Sequence, residues 1–368
     1  MFQKVRSYLG KTVIGKITHR VSYTSDIYIP RPFFSARNNN LSKTLLITCT
    51  SGFNQDFPIA ASLMREGFAR GWAEVCGPAK LIRDYEIFRE IELFENPAVF
   101  MCEFDFDNIS YSDARKLRDV DLFVWVGIHP RMSSKWERQV LTDYPSMERS
   151  LNAYAKILLS EPKFVWNAVG DAGQEWYQGW RDDGLNWETI YPGVDKKRYF
   201  PEHAPEKYGH IKMAYVGGYW PEKAQGFDMY LRPWEDIFVP FGYAKWPYKN
   251  YAGRINEQDE RQLYTTAGLI PLVTSPAGWL IAEITERYLK APACNAFCIA
   301  DHNPALREIF SKEEMIQAES PEHFHELVKE YLSGEIDTQQ WRDKAYKAVQ
   351  ERHLYSHRAL QIKKALSN

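Results

Sequence analysis

The chain has 368 residues, which at roughly 150 residues per domain points to two domains. Hydrophobic residues make up 45% and charged residues 26%, values of a globular protein rather than a disordered one. Lys plus Arg total 46 against 48 for Asp plus Glu, and the resulting net charge of −2 argues against a dedicated nucleic-acid binder. Five scattered cysteines (Cys49, Cys76, Cys102, Cys294, Cys298) with no CxxC pair fit a reducing compartment and no structural zinc. No run approaches the ~18 apolar residues of a spanning helix, and residues 1–20 lack the apolar core of a secretory signal. The expected location is therefore cytoplasmic. Twelve Trp, 22 Tyr and 20 Phe bring the aromatic share to 15%, a mild tilt toward sugar handling, because aromatic faces cover the C–H face of a pyranose.

Residues 1–40 form a basic N-terminal segment. Phe2, Val5, Leu9, Val13 and Ile17 recur at helical spacing, with Lys4, Arg6, Lys11, Lys16 and Arg20 on the other faces. Such a helix would lie on an anionic membrane surface, a peripheral contact at the inner face, or dock on the body of the protein. From residue 43 short apolar runs alternate with helix-period segments, the pattern of a parallel sheet covered by helices. Leu45–Thr48 reads as a strand, followed by the loop Cys49–Asn54. The next helix has Pro58 near its start, Ala60, Ala61, Met64 and Phe68 inward, and Gly71 as its stop. Further strands are expected at Ala98–Cys102, Asp121–Val126 and Phe164–Asn167.

The pattern breaks around Ile190–Asp195, and the boundary is placed there. A second series follows, with strands at Met213–Val216, Asp236–Pro240, Leu272–Thr274 and Ala296–Ala300. One helix is expected from about Gly278 to Cys294, and Pro321 to Leu366 reads as helical. The resulting division is 1–40, 41–192, 193–338 and 339–368.

Several residues carry candidate chemistry. Gly217-Gly218 ends a strand, allowing a sharp turn and close approach of a phosphate to the backbone. The helix from about Glu222 would aim its positive end at a pyrophosphate, and Lys223 would add a formal charge to a leaving diphosphate. The alternative is an ordinary turn with a surface lysine. Asp301-His302-Asn303-Pro304 follows a strand at the usual ligand edge. Its amides at Asn303 and Ala305 would meet phosphate or sugar hydroxyls, or Asp301 or Asn303 would simply cap the next helix. In the first half, Ser51 and Gly52 follow the first strand. His129 follows a buried strand, as a sugar contact or general base or as a structural histidine. Asp171 would deprotonate an acceptor hydroxyl or cap a helix. Asp105-Phe106-Asp107 has the spacing of a cation-holding D-x-D pair, but a solvated acidic loop is the preferred reading and no metal site is expected.

Five features follow one another in the second half: Tyr191-Pro192-Gly193-Val194-Asp195 with Phe200-Pro201; Gly217-Gly218 with Lys223; Tyr251–Ile255; Arg287–Cys298; and Ala300–Phe310. In that order they resemble the C-terminal half of GT-B glycosyltransferases, most closely the bacterial spore-maturation-type group, over about residues 188–366. The resemblance implies an α/β fold of two Rossmann-like domains facing across a cleft, with a C-terminal helix crossing back to the first. It implies a metal-independent glycosyltransferase with no cofactor, taking a nucleotide-sugar as co-substrate and a carbohydrate or other hydroxyl acceptor, as in polysaccharide biosynthesis. Donor contacts would come from Gly217, Gly218, Tyr219, Lys223, Arg254, Ile255, Asp301, His302 and Asn303, with Ser51 and Gly52 across the cleft. Asn295 stands where the family has a helix-ending glycine, a substitution that suits the left-handed conformation. Lys290 stands where the family commonly has a ribose-gripping glutamate, and lysine cannot accept those hydrogen bonds. Glu286 or Glu283 would substitute. The rival readings are a nucleotide-sugar epimerase of the same fold and a non-catalytic nucleotide- or sugar-binding protein.

Overall fold

In the computed structural model the described residues are 33–36, 43–49, 60–132 and 151–367. The N-terminal tail, Ser51, Gly52 and Pro58 lie outside them. Two sheets follow one another along the chain. The first contains β1 (Phe33–Phe34), β2 (Leu45–Thr48), β3 (Ala79–Ile82), β4 (Ala98–Cys102), β5 (Asp121–Trp125), β6 (Phe164–Asn167) and β7 (Trp187–Thr189) in the order β1-β3-β2-β4-β5-β6-β7. Among the described residues only the β1 pairing of this sheet is antiparallel. The second contains β8 (Met213–Val216), β9 (Phe238–Phe241), β10 (Leu269–Leu272), β11 (Phe297–Ala300) and β12 (Ile316–Gln317), all parallel, in the order β12-β11-β10-β8-β9. Both sheets are doubly wound. Strand order reverses between β2 and β4 in the first and between β8 and β10 in the second, and crevices open at such points.

The helices that position the site are α1 (Ala60–Val75), α2 (Pro221–Tyr230), α3 (Glu257–Thr266), α4 (Pro276–Leu280), α5 (Arg287–Ala293), α6 (Pro321–Ser333), α7 (Thr338–Arg352) and α8 (Tyr355–Ser367). The strands expected at β2, β4 and β6 coincide with those found, because each is a buried apolar run bounded by polar or turn residues. β9 and β10 lie up to three residues from their expected places. β10 runs through Pro271, a residue that lacks the ladder N–H and usually marks an edge. The single helix expected over 278–294 is two, α4 and α5, separated where Ala282 takes a left-handed φ of 52°. Asn295 does adopt the left-handed conformation, φ 56°, and the Ala296 N–H closes on the Ala291 carbonyl.

Gly71 does not stop a helix. It lies inside α1, where a Cβ would stand 2.4 Å from the Tyr355 carbonyl carbon, and one on Gly67 would meet the Tyr355 ring at 2.0 Å. These two glycines let α8 settle on α1. Ala359, Ile362 and Leu366 of α8 then join Phe68, Trp72 and Phe100 in one buried cluster. The C-terminal helix therefore crosses back to the first sheet. A second junction forms a short backbone seam: Gly170 N–H donates to the Ala282 carbonyl at 2.8 Å, and Ile284 N–H to Ala168 at 2.9 Å. Ala277 and Ile281 are buried in the core under the first sheet, and a Cβ on Gly173 would lie 1.8 Å from the Ile281 oxygen.

Candidate active site at the second switch point

β8 ends at Val216, and Gly217 and Gly218 turn the chain toward α2. The Gly217 N–H bonds the Phe241 carbonyl and its own carbonyl accepts Trp246 Nε1, both at 2.8 Å. Arg287 reaches this turn. Its Nε donates to the Val216 carbonyl at 2.9 Å and its guanidinium lies 4.1 Å over the Tyr215 ring. Its Nη2 stands 2.7 Å from where a Cβ on Gly217 would be. Arginine stays charged in such surroundings and offers a fork of donors suited to phosphate oxygens.

Gly218 is not open to a ligand, contrary to the expected role of the glycine pair. The Trp220 indole lies 2.8 Å from the position of a Cβ there, Ala244 lies 3.1 Å away, and Gly218 is buried. Tyr219 packs on Trp246 at 5.3 Å and Tyr248 at 6.2 Å. The start of α2 offers an anion little. Pro221 has no N–H, and the Lys223 amide is bonded to the Trp220 carbonyl. Lys223 itself sits in that first turn, half-buried.

In the loop after β11 the amides at Asn303 and Ala305, expected to meet sugar or phosphate, are bonded inside the loop instead. Asp301 and Asn303 are fully buried. Asp301 Oδ2 accepts from Thr274 N at 2.7 Å and Trp279 Nε1 at 2.6 Å, while Oδ1 accepts from the Tyr288 hydroxyl. The Asn303 and Ala305 amides are taken by the Asp301 and Asn303 side chains at 3.3 and 3.0 Å. His302 bonds the Tyr230 hydroxyl, lies tilted against Trp279 at 4.4 Å and lines a cavity of about 610 Å³ along β12.

Lys290 is an internal partner. Its Nζ lies 2.5 Å from Glu260 Oε1 of α3, and the Tyr199 hydroxyl donates to Glu260 Oε2 at 3.3 Å. Beside it, Glu286 accepts from the Tyr355 hydroxyl at 3.0 Å. Burial pushes the Glu286 carboxyl up to about 7, with Lys290 and the Tyr355 hydroxyl pulling the other way. Glu286 and Lys290 share a cavity of only about 10 Å³ with Gly193, Arg198 and Tyr199. That is room for one water, so neither side chain faces a nucleotide-sized space. Glu283 gives its carbonyl to Asn303 Nδ2 at 2.6 Å. Arg254 is exposed and Ile255 half-buried, on the loop between β9 and α3.

In the first half, His129 is fully buried rather than open to a cleft. Burial and Arg131 pull its pKa down to about 4, so it is neutral at pH 7. The Arg131 N–H donates to its Nδ1 at 3.2 Å, which assigns the proton to Nε2, 2.8 Å from Asp183 Oδ2. Both nitrogens are engaged, and Tyr154 and Trp180 pack edge-on to the ring. This packing supports the structural alternative for His129. Asp105 is likewise no solvated loop residue. It is fully buried and accepts from Thr48 Oγ1 at 2.5 Å and Cys102 N at 2.7 Å. Asp171 is exposed at the seam, its amide bonded to Glu308 Oε1 at 2.8 Å and its Oδ1 to Gln174 Nε2 at 2.7 Å.

The residue missed from sequence is Arg287. The signal was in plain view, since it opens the Arg287–Cys298 stretch on which the family resemblance rests. Residues 197–364 match the glycosyl transferase-like family model. No curated protein matches the chain. Among solved structures, the sucrose-phosphate synthase of Thermosynechococcus elongatus is 11% identical, with TM-score 0.59 over 88% of this chain and 98% of that one. HepE of Anabaena in complex with UDP is 11% identical, with TM-score 0.56 over 89% and 99%. HepE in complex with UDP-glucose gives 13%, 0.52, 88% and 99%. The fold is thus GT-B, and the second half of the chain carries a glycosyl transferase-like domain.

Proposed function

We propose that the chain transfers a sugar from a nucleotide-sugar donor to a hydroxyl acceptor, as a member of the spore-maturation-type group. The observation that carries this reading is Arg287 at the second switch point, inside the stretch that matches the glycosyl transferase-like family. Residues 193–338 hold the donor and 41–192 the acceptor. Base and ribose lie toward Arg254 and Ile255, and the diphosphate lies against Gly217 and the Arg287 guanidinium. As the glycosidic bond to the donor breaks, negative charge grows on the β-phosphate, and Arg287 meets it as a fixed cation with no metal required. Asp171 takes the proton from the attacking hydroxyl. A uridine nucleotide is the first donor to try, because HepE binds UDP and UDP-glucose. The basic segment 1–20 would hold the enzyme at the inner face of a membrane.

A second reading is favoured by specific observations: the indole over Gly218, the amides closed inside the loop after β11, and the Lys290–Glu260 pair. They support the reading of a non-catalytic nucleotide- or sugar-binding protein. A thermal-shift panel of UDP, GDP, CMP, ADP and dTDP sugars tests both, since ligand at about 100 times its Kd adds ~2.7 kcal/mol of stability. Stabilisation with donor hydrolysis or transfer supports the enzyme. Stabilisation with no turnover supports the binder, and isomerised donor without acceptor would reveal an epimerase. No shift with any nucleotide overturns the donor site.

A further inference from the structure

The face of the first sheet covered by α1 and α8 carries a ladder of aromatic rings. Phe100, Phe123 and Phe164 stack across β4, β5 and β6 at centroid separations of 5.2 and 5.4 Å. One row nearer the ligand edge stand Trp125 and Trp166, register partners on β5 and β6. Trp166 is buried, whereas Trp125 is only partly covered. The ladder then runs out into the open. Phe104, on the turn after β4, lies 6.2 Å from Trp125 with the ring planes 39° apart, and is 53% exposed.

A single exposed phenylalanine is ordinary. Two rings forming a continuous step at the carboxyl edge of a parallel sheet, beside its switch point, stand where such sheets take ligands. Their geometry suits a flat, partly apolar ring. The C–H bonds on one face of a pyranose carry partial positive charge, and the aromatic face presents negative charge to them. Asp107 and Asn108, exposed on the same turn, give the step a polar margin of the kind that sugar hydroxyls need. A lipid tail would need an apolar trough longer than two rings.

We propose that Phe104 and Trp125 form a stacking platform for a pyranose ring of the acceptor, which makes the acceptor a carbohydrate rather than a lipid or protein hydroxyl. This rests on the glycosyltransferase reading above only for the word acceptor, because the platform itself is a sugar-binding claim. Saturation-transfer NMR on the full chain, with methyl glucopyranoside, galactopyranoside and mannopyranoside as probes, tests it directly. Saturation should fall mainly on the C–H protons of one ring face for at least one probe. Phe104→Ala should weaken that binding roughly tenfold, Phe104→Tyr should largely restore it, and stabilisation by UDP should be unchanged in both variants. Equal binding by the alanine variant, or no binding of any probe at about 50 mM, overturns the platform. UDP failing to stabilise the protein while pyranosides still bind through Phe104 would sink the donor reading and leave the platform standing.

Discussion

Each sheet places an arginine at its switch point, and the two are treated differently. Arg65, on α1, is only 6% exposed, with Nη2 donating to Cys102 Sγ and the buried Asp105 as its acidic neighbour. Arg287, on α5, is partly exposed and leans on the glycine turn that closes β8. The first guanidinium is enclosed by the groups that neutralise it, while the second is held by the Val216 carbonyl and the Tyr215 ring. A charge sealed with its partner contributes to architecture, and the one held by a carbonyl and an aromatic face is the one we propose for the donor diphosphate. Lys290, committed to Glu260, falls on the sealed side of the same contrast.

The largest effect that would sharpen this contrast is on turnover. Arg287→Ala should lower kcat by about 100- to 1,000-fold, whereas Lys223→Ala should cost less than about tenfold, measured with the donor that the nucleotide panel identifies. The opposite ranking would return the leaving-group role to Lys223. Next in size is the internal pair. Lys290→Ala leaves Glu260 buried beside Glu286 without its cation and should cost about 3 kcal/mol in denaturant unfolding, with nucleotide affinity unchanged. Adding Glu260→Ala should recover part of that loss, and strict additivity of the two would show that the contact carries no coupling.

The smallest effect is a pH dependence. The carboxyl of Glu286 sits higher in the folded chain, about 7, than its ordinary 4.5, so folding takes up a proton between those values. Its contribution to stability is fully present below about 4.5 and is lost as pH rises through about 7. Glu286→Gln should therefore gain stability relative to the natural chain as pH rises from ~4.5 to ~8, in paired melts across that range. Parallel melts would mean that Glu286 titrates in the folded protein as it does unfolded.

Much of the fold was legible in sequence because buried parallel strands announce themselves. Leu45–Thr48, Ala98–Cys102 and Phe164–Asn167 are short apolar runs with polar or turn residues at both ends. The Asn295 helix ending followed from the resemblance, which places a helix-ending glycine there, together with the tolerance of Asn for the left-handed conformation. The site was less legible, because what closed it is long-range. Nothing in the spacing says that Lys290 finds Glu260, that the Asn303 amide folds onto Asp301, or that His129 uses both nitrogens internally. Nor does periodicity reveal that 281–284 leaves its helix to bond 168–170. One warning did stand in the sequence: Gly217-Gly218 is followed at once by Tyr219-Trp220, bulky rings close enough to fill the space that the glycines leave.

The docking of α8 on α1 has a consequence for how the chain comes to be folded. Cys76 Sγ donates to the Ala359 carbonyl across 283 residues of sequence, and the 13 residues of α8 complete the apolar layer over Phe68 and Trp72. During synthesis the first sheet and α1 emerge early, yet the face they form stays incompletely covered until α8 follows. At roughly 5–20 residues per second that exposure lasts on the order of tens of seconds, an interval in which a holdase has something to hold.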